Sequence, residues 1–505
     1  MSADLFSAAG GQDAAARIPA VMSGSGSLKF GTSGLRGLVT ELLGLQSRAY
    51  SLAFARHMLA LLGADGVREI LIGRDLRSSS PAIMADCAAA IHFCGLTAVD
   101  CGELSTPALA LEAQHRGSPA IMVTGSHIPD DRNGLKFYRP DGEITKVDEL
   151  AILAEYQRLA PDELSILALT PSVSEHAGDG PVRRYVDRYL AFLGAKALEG
   201  MRVGVYQHSS VSRDILVEIL AGLGAVPVPL GRSAHFIPVD TEAYDPGQSA
   251  MIERWAEGGR FAAIVSTDGD ADRPLVADEN GAIIRGDVLG LLTADFLSFD
   301  TIVTPITSGS VIERSSVAAN VLRTRVGSPY VIEAMQSVQP GAKVLGFEAN
   351  GGVLLGSTAI RDGRSLPSLP TRDAVLPILA ALCLTIEKGK PLGTIVADAD
   401  VGFVLADRLK DTPSAQSGAF LARLGQDPAY AATFFEDVGG FAEMSDIDGL
   451  RFELKDGSII HYRASGNAPE LRCYVEAPRR ERGEELLAWG LRAALHAMEP
   501  SQRPD

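Results

Sequence analysis

Three aspartates, Asp268, Asp270 and Asp272, stand at alternate positions in the stretch STDGDADRPLVAD. In an extended chain alternate side chains share one side. The spacing predicts three hard oxygen donors facing one point, which is chemistry for Mg²⁺. A calcium-binding EF-hand loop is the nearest competitor, because Glu279 falls at its twelfth position. It fails at the sixth, where the sharp turn needs glycine and the chain has Arg273, and a strand precedes the loop instead of a helix. A cation beside the metal donors makes sense if the ligand is phosphate, whose charge the two would share. Without a ligand, the bland reading is a solvated acidic turn in which the carboxylates repel one another.

Four other loops carry groups of the same kind. In TGSHIPDDRNGLKFY an apolar strand ends near Thr124 and Gly125 turns the chain, leaving Ser126 at the strand's carboxyl end. Open α/β sheets place ligands there, and a serine hydroxyl can accept or donate a phosphoryl group. The G-x-S-x-G elbow of hydrolases is excluded, since Ile128 stands where its second glycine would be. His127 is either a general base or a structural hydrogen-bonding group. Asn133-Gly134 reads as a turn that folds Lys136 back towards Ser126. In KFGTSGLRG, three glycines with Thr32 and Ser33 allow close backbone approach to a ligand, and Arg36 supplies a fixed cation. In RASGNAPELRCYVEA, Arg463 and Arg472 flank a turn of Ser465, Gly466 and Asn467, which is an anion nest in outline. In GFEANGG, Glu348 and Asn350 offer an acceptor and an amide to sugar hydroxyls. Each of these four is also readable as an ordinary polar loop.

The elements that must position these loops are legible as alternating strands and helices. EILIG (69–73), a helix from Ser80 to Gly95, TAVD and AIMVT (120–124) form one βαβ set. A second begins at MRVGVY (201–206) and includes VPVPL and FAAIVS (261–266). A third runs from GDVLGLLTADFLSF through TIVTP and KVLGFE to the helix RDAVLPILAALCLTIEKG. Alternation at these lengths predicts largely parallel sheets. SIIHYRA (458–464) and LRCYVEA (471–477) alternate with period two, and an amphipathic helix closes the chain. The expected organisation is three similar mixed-sheet α/β domains around a central cleft plus a smaller α+β C-terminal domain. The expected bounds are a loose tail at 1–27, α/β domains at 28–160, 161–285 and 286–400, and the C-terminal domain at 401–505, with 161–180 as a linker.

The formal charge of −17 excludes broad binding to nucleic acid or to an anionic membrane, so cations for a phosphate ligand must be gathered locally. No run of 18 or more apolar residues occurs, so no membrane-spanning segment is expected. The amino terminus lacks the pattern of a signal peptide. Five cysteines without a C-x-x-C pair indicate reduced thiols and a cytoplasmic setting.

Taken in order and spacing, the loops resemble those of the α-D-phosphohexomutases, the family of phosphoglucomutase, phosphomannomutase and phosphoglucosamine mutase. The resemblance covers nearly all the chain after residue 28. TGSHIPDDRNGLKF is similar to the family's phosphoserine loop, DGDADR to its metal loop, and RASGNAPELR to its phosphate loop. It implies that Ser126 is phosphorylated and that Asp268, Asp270, Asp272 and a phosphate oxygen on Ser126 hold Mg²⁺. It implies that Lys136, Arg36 and Arg273 serve the reacting groups, and that Glu348 and Asn350 hold sugar hydroxyls. Arg463, Ser465, Gly466, Asn467 and Arg472 would grip the non-reacting phosphate. The implied reaction passes through a hexose 1,6-bisphosphate, which is also the activator. The loop forms look closest to the mannose-activating bacterial branch, which implies exchange of mannose 6-phosphate and mannose 1-phosphate by a monomer or homodimer. Phosphoglucomutase and phosphoglucosamine mutase activities are the alternatives within the family. A non-catalytic sugar-phosphate binder is the alternative outside it, disfavoured by the presence of Ser126, all three aspartates and Lys136. Four positions depart from the family pattern: Asn350 stands where a serine is usual, Gly352 where a histidine is, Asn467 where a threonine is, and Ala468 where the residue is often polar.

Overall fold

The computed structural model describes residues 27–31, 34–63, 66–465 and 469–499. The tail expected at 1–27 therefore lies almost wholly outside the described residues, as do Thr32, Ser33, Gly466 and Asn467.

Three mixed sheets share one topology. In the first, Thr97–Glu103 and Ala120–Val123 flank Glu69–Arg74 in parallel, and Arg132–Arg139 joins Ala120–Val123 antiparallel. The second repeats this order with Val226–Arg232, Arg202–His208, Ala263–Thr267 and Pro274–Ala277. The third repeats it with Asn320–Thr324, Thr301–Pro305, Val344–Phe347 and Val353–Leu355, and adds Leu369–Asp373 at its edge. The inner parallel strands are buried nearly end to end, as sheets covered on both faces require, while the edge strands Val226–Arg232 and Asn320–Thr324 are partly exposed. The repetition has a functional consequence. Ser126, the three aspartates, and the pair Glu348 and Asn350 all lie on the same connection, from the last parallel strand to the antiparallel one.

The C-terminal unit is an antiparallel sheet in the order Phe403–Leu409, Leu471–Ala477, Ile459–Ala464, Leu450–Leu454, Phe441–Ser445. One face packs on the helix Arg480–Met498: a Cβ on Gly490 would lie 2.6 Å from Ile460 and 3.0 Å from Cys473. This unit has its own core around Phe435, Phe452, Tyr462 and Leu486. The three α/β units share one continuous core, which joins Leu71, Tyr185, Val203, Leu289 and Leu379. Apolar burial thus fixes the three sheets against one another.

Three expectations need correction. The stretch 161–180 is no linker. Pro161–Leu169 is a helix whose Leu164 and Leu167 pack on Leu52 and Ala90, and Glu175–His176 adds a strand to the first sheet. Apolar side chains at 164 and 167 give that helix a face to bury, a period too short to stand out in the sequence. Asn133 and Gly134 make no turn: both lie inside the strand Arg132–Arg139, where Met122 faces Lys136 across the ladder. A side chain at 134 would strike the Leu35 carbonyl at 2.4 Å, so the glycine serves strand approach. The aspartate segment is not extended either. It is a tight turn in which Ala271 has φ +60° and its N–H donates to the Asp268 carbonyl at 3.3 Å.

All five cysteines are free, and burial pushes the Cys87 thiol up to about 12. Among the described residues no helix is long and apolar enough to cross a membrane.

Candidate active site

Ser126 is fully buried and has φ +54°, a left-handed conformation that costs a non-glycine residue about 1 kcal/mol or more. Its surroundings hold it there. The Ser126 N–H donates to Thr124 Oγ1 at 2.8 Å, and Thr124 donates in turn to Asp75 Oδ2 at 2.8 Å. Arg77, also buried, donates to the carbonyls of Ser126 (3.0 Å), Ile128 (2.6 Å), Pro129 (2.8 Å) and Arg132 (3.0 Å). Asp75 and Arg77 pair at 3.2 Å, so the loop is clamped by a buried ion pair from the neighbouring strand end. The sequence reading missed both residues. Their signal is charge in GRDLRS directly after an apolar strand, the same signal that marked the aspartates.

The Ser126 hydroxyl donates to Asp268 Oδ2 at 2.5 Å, which joins the first unit to the second. One oxygen from each of Asp268, Asp270 and Asp272 lies within 4.8 Å of the others, and all three residues are fully buried. Lys136 Nζ reaches Asp270 Oδ2 and Asp272 Oδ2, each at 2.5 Å. Thr106, from the first unit, donates to Asp270 Oδ2 at 2.5 Å; the sequence reading missed it too. Charge is compensated unevenly. Burial works to raise Asp272, but Arg372, Lys136 and Arg273 outweigh it and hold its carboxylate well below the usual range. Burial, then the charges of Asp270 and Asp272, push Asp268 well above it. Among the described residues none donates a hydrogen bond to buried Asp270 Oδ1 or Asp272 Oδ1. Hard oxygen donors, two of them unpartnered, with one carboxylate under strong like-charge strain, fit a divalent cation.

Cations crowd the other side. Arg372, another residue the sequence did not single out, spans from Asp272 Oδ2 (2.7 Å) to Glu348 Oε2 (3.0 Å). Burial, then Arg273 and Arg372, lower Arg36 to about 10, which leaves it cationic at neutral pH. Arg273 is buried with its Nε 3.7 Å from Asp272. Three guanidiniums held together against their repulsion form a field for an anion. His127 lies in the same field: burial and Arg273 push it down to about 2, so it is neutral and a very weak base. Its Nδ1 is 3.4 Å from Ser126 Oγ.

Glu348 and Asn350 sit together and buried, with Asn350 Nδ2 3.4 Å from Glu348 Oε2. Asn350 Oδ1 accepts the Gly352 N–H at 3.0 Å, which shapes the loop. A Cβ at 352 would meet the Asp272 carbonyl at 2.6 Å and Arg372 Cβ at 2.9 Å, so this backbone has no room for a side chain there. The structure brings Ser126, Lys136, the aspartates, Arg273 and Glu348 into one linked network. Arg463 stands apart from it. It is half-buried, pairs with Asp448 at 2.9 Å, and lines a cavity of about 170 Å³ with Lys146, Arg325 and Tyr330. Arg472 faces Arg463 across the ladder, with Glu470 3.9 Å away, and Ser465 is buried beside them.

A phosphoryl-transfer site assembled from three repeated α/β units is the design of one enzyme family, and the chain belongs to it: the α-D-phosphohexomutases. It matches the family descriptions "Phosphoglucomutase/phosphomannomutase, alpha/beta/alpha domain I" over residues 27–162, domain II over 183–281, domain III over 285–400 and the C-terminal domain over 418–488. It is 50% identical over 465 residues to a phosphomannomutase of Sinorhizobium fredii, covering 92% of this chain and 98% of the relative. It is 40% identical to a phosphomannomutase of Salmonella muenchen, covering 90% and 93%. Its fold is similar to the crystal structure of a phosphoglucomutase/phosphomannomutase family protein from Burkholderia thailandensis, with a TM-score of 0.74, 20% identity, and coverage of 94% and 98%.

Proposed function

We propose that this phosphohexomutase interconverts mannose 6-phosphate and mannose 1-phosphate through phosphorylated Ser126 and a hexose 1,6-bisphosphate. The observation that carries the reading is the Ser126 hydroxyl on Asp268, with Lys136 bridging the other two aspartates. Identity to phosphomannomutases over nine-tenths of the chain supports the choice of sugar.

In the forward half-reaction the Oγ–P bond of phosphoserine breaks while a sugar hydroxyl oxygen bonds to that phosphorus. Asp75 and Arg77 keep Ser126 Oγ at the loop tip and in line with the incoming oxygen. Lys136 carries the sugar hydroxyl proton to Ser126 Oγ as the Oγ–P bond breaks, and carries it from Ser126 Oγ back to the sugar oxygen when the direction reverses. Arg36 and Arg273 hold charge on the transferring phosphoryl group. Mg²⁺ held by the three aspartates would neutralise charge on the same oxygens. Glu348 and Asn350 accept and donate to sugar hydroxyls. Arg463, Ser465 and Arg472, with Gly466 and Asn467, bind the phosphate that is not reacting. One such grip serves both ligand orientations, since each end of the bisphosphate presents the same group. One chemical loop then falls in each of the four units, with the first unit extending past residue 160 to take in Glu175–His176.

A coupled assay of mannose, glucose and glucosamine 1-phosphates, primed with glucose 1,6-bisphosphate, tests the reading. The highest kcat/KM is expected on mannose 1-phosphate, and intact mass should place one phosphate on Ser126, lost in Ser126→Ala. A preference for either other sugar overturns the substrate, and full activity in the alanine variant overturns the mechanism.

A further inference from the structure

The segment from Ser233 to Asp245 in the second unit bears none of the groups assigned above, yet it touches two of the reacting loops and the arginine that clamps the third. Phe236 lies under the Arg77 guanidinium, 3.9 Å from its ring centroid, and Arg77 holds the Ser126 carbonyl. The same ring borders the aspartate turn, since a Cβ on Gly269 would fall 3.0 Å from it. Five residues later, buried Thr241 donates through Oγ1 to the Asn350 carbonyl at 3.1 Å. Asp240 then turns the chain by accepting the N–H of Glu242 (2.9 Å) and of Ala243 (3.3 Å).

That turn leaves Glu242 exposed, one residue past the Thr241 that bonds to the sugar loop. Its charge acts most strongly on Arg273, then on Glu348, Asp240 and Arg372, and it reaches Arg472 of the C-terminal unit. Among the described residues none donates a hydrogen bond to its carboxylate. A carboxylate here weakens the cleft's hold on phosphate, so phosphate is not its ligand. Its remaining complement is the neutral, hydroxyl-bearing part of the substrate. An ionised carboxylate accepts from two hydroxyls at once, and it accepts well only where their geometry suits it. Glu348, the other acid near the sugar, is already committed to Arg372 and Asn350.

We propose that Glu242 accepts hydrogen bonds from the hexose hydroxyls and sets which epimer is turned over, with Thr241 as the positioning residue that keeps it in register with Asn350. The inference rests on the hexose-phosphate reading above and adds a specificity determinant to it. Acceptance from hydroxyls that one epimer presents and the other misdirects separates the two sugars by the strength of a charged hydrogen bond.

The test compares kcat/KM on mannose 1-phosphate and glucose 1-phosphate for the wild type, Glu242→Gln and Thr241→Val, and follows phosphorylation of Ser126 by glucose 1,6-bisphosphate through intact mass. Glu242→Gln should lose about 10- to 100-fold on the preferred sugar and less on the other, so the ratio contracts. Thr241→Val should contract the ratio in the same direction by a smaller factor. Both variants should still acquire phosphate on Ser126, which separates altered sugar selection from a damaged site. An unchanged ratio, or an equal rise or fall on both sugars, overturns the proposal and leaves Glu242 a source of general charge. Failure of the wild type on both sugars overturns the hexose-phosphate reading, and the inference with it.

Discussion

Arg77 donates through Nη2 to the carbonyl oxygen of Ser126 at 3.0 Å, so the residue with the reacting hydroxyl is held from behind by its own backbone. Three further carbonyls of the same loop depend on this guanidinium, and Asp75 balances its charge. Arg77→Met should cost about 3–5 kcal/mol, because it strands a buried carboxylate and takes the donor from four loop carbonyls, of which that of Ser126 is buried. Urea unfolding measures that loss. Arg77→Lys keeps the charge but cannot reach four carbonyls; it should fold and lose at least about tenfold in kcat. Normal kcat in the lysine variant would show that Ser126 needs no such clamp.

The aspartate cluster sets stability against function. Asp268 is buried, lies beside two like charges, and is the member least compensated by cations. Asp268→Asn keeps the oxygen that accepts the N–H groups of Asp272 and Arg273 and removes the charge. In EDTA its Tm should exceed that of the wild type by a few degrees. Excess Mg²⁺ should raise the wild-type Tm and leave the variant's unchanged, and the variant's turnover should be lost. A variant that melts lower than wild type in EDTA would contradict the like-charge account.

What the sequence made legible follows from this geometry. Ser126, Asp268 and Glu348 were readable because each stands in a polar run directly after an apolar strand, where α/β sheets carry chemistry, and Arg463 because it flanks a polar turn with Arg472. Arg77 stands in such a run too and was passed over, whereas Arg372 was not readable in the same way. Arg372 is the fourth residue of a short edge strand, and its partners Asp272 and Glu348 lie 100 and 24 residues away in sequence. Thr106 meets Asp270 across 164 residues. Nothing local distinguishes such residues from surface charges or helix caps. The shared topology was only guessed at, because the three sheets keep strand order and direction while the residues differ. Lys136 was placed rightly near the reacting centre for the wrong reason, since a ladder and not a turn carries it there.

Two histidines predict the acid response of the fold. Burial pushes His208 and His461 down to about 4 each, against the ordinary 6.5, so both are neutral in the native protein. The folded value is the lower one. Between pH 6.5 and 4 the unfolded chain therefore takes up protons that the native chain refuses. Their contribution to stability is complete above pH 6.5, falls as pH drops through that window and levels off below it, with about 3 kcal/mol at stake for each; His127, held lower still, extends the loss beneath pH 4. The urea midpoint should fall steeply from pH 7 to 4.5. His461→Gln should lower stability at pH 7 and flatten the slope; an unflattened slope would mean His461 does not titrate on unfolding.

Arg463 supplies the last prediction, because here the local pairing and the global charge pull in opposite directions. Its Nε donates to Asp448 Oδ2 at 2.9 Å, and the same oxygen accepts the Val326 N–H at 3.0 Å from the third unit. Asp448 thus anchors Arg463 from one side and leaves the other guanidinium N–H groups facing the cavity that Lys146 and Arg325 share. Capture of an anionic ligand by a chain of charge −17 depends on this local excess of cations. Arg463→Ala should cost about 2–4 kcal/mol in transition-state binding, roughly 30- to 1,000-fold in kcat/KM. Phosphorylation of Ser126 by the bisphosphate should slow as well, since the bisphosphate needs the same grip. Arg463→Lys should recover part of the loss, because a point charge lacks the fork that reaches Asp448 and phosphate together. Asp448→Asn should weaken binding less than Arg463→Ala, as the amide keeps an acceptor for both donors while the guanidinium stays. Equal kcat/KM in Arg463→Ala and wild type on every hexose phosphate would place the phosphate grip elsewhere in the C-terminal unit.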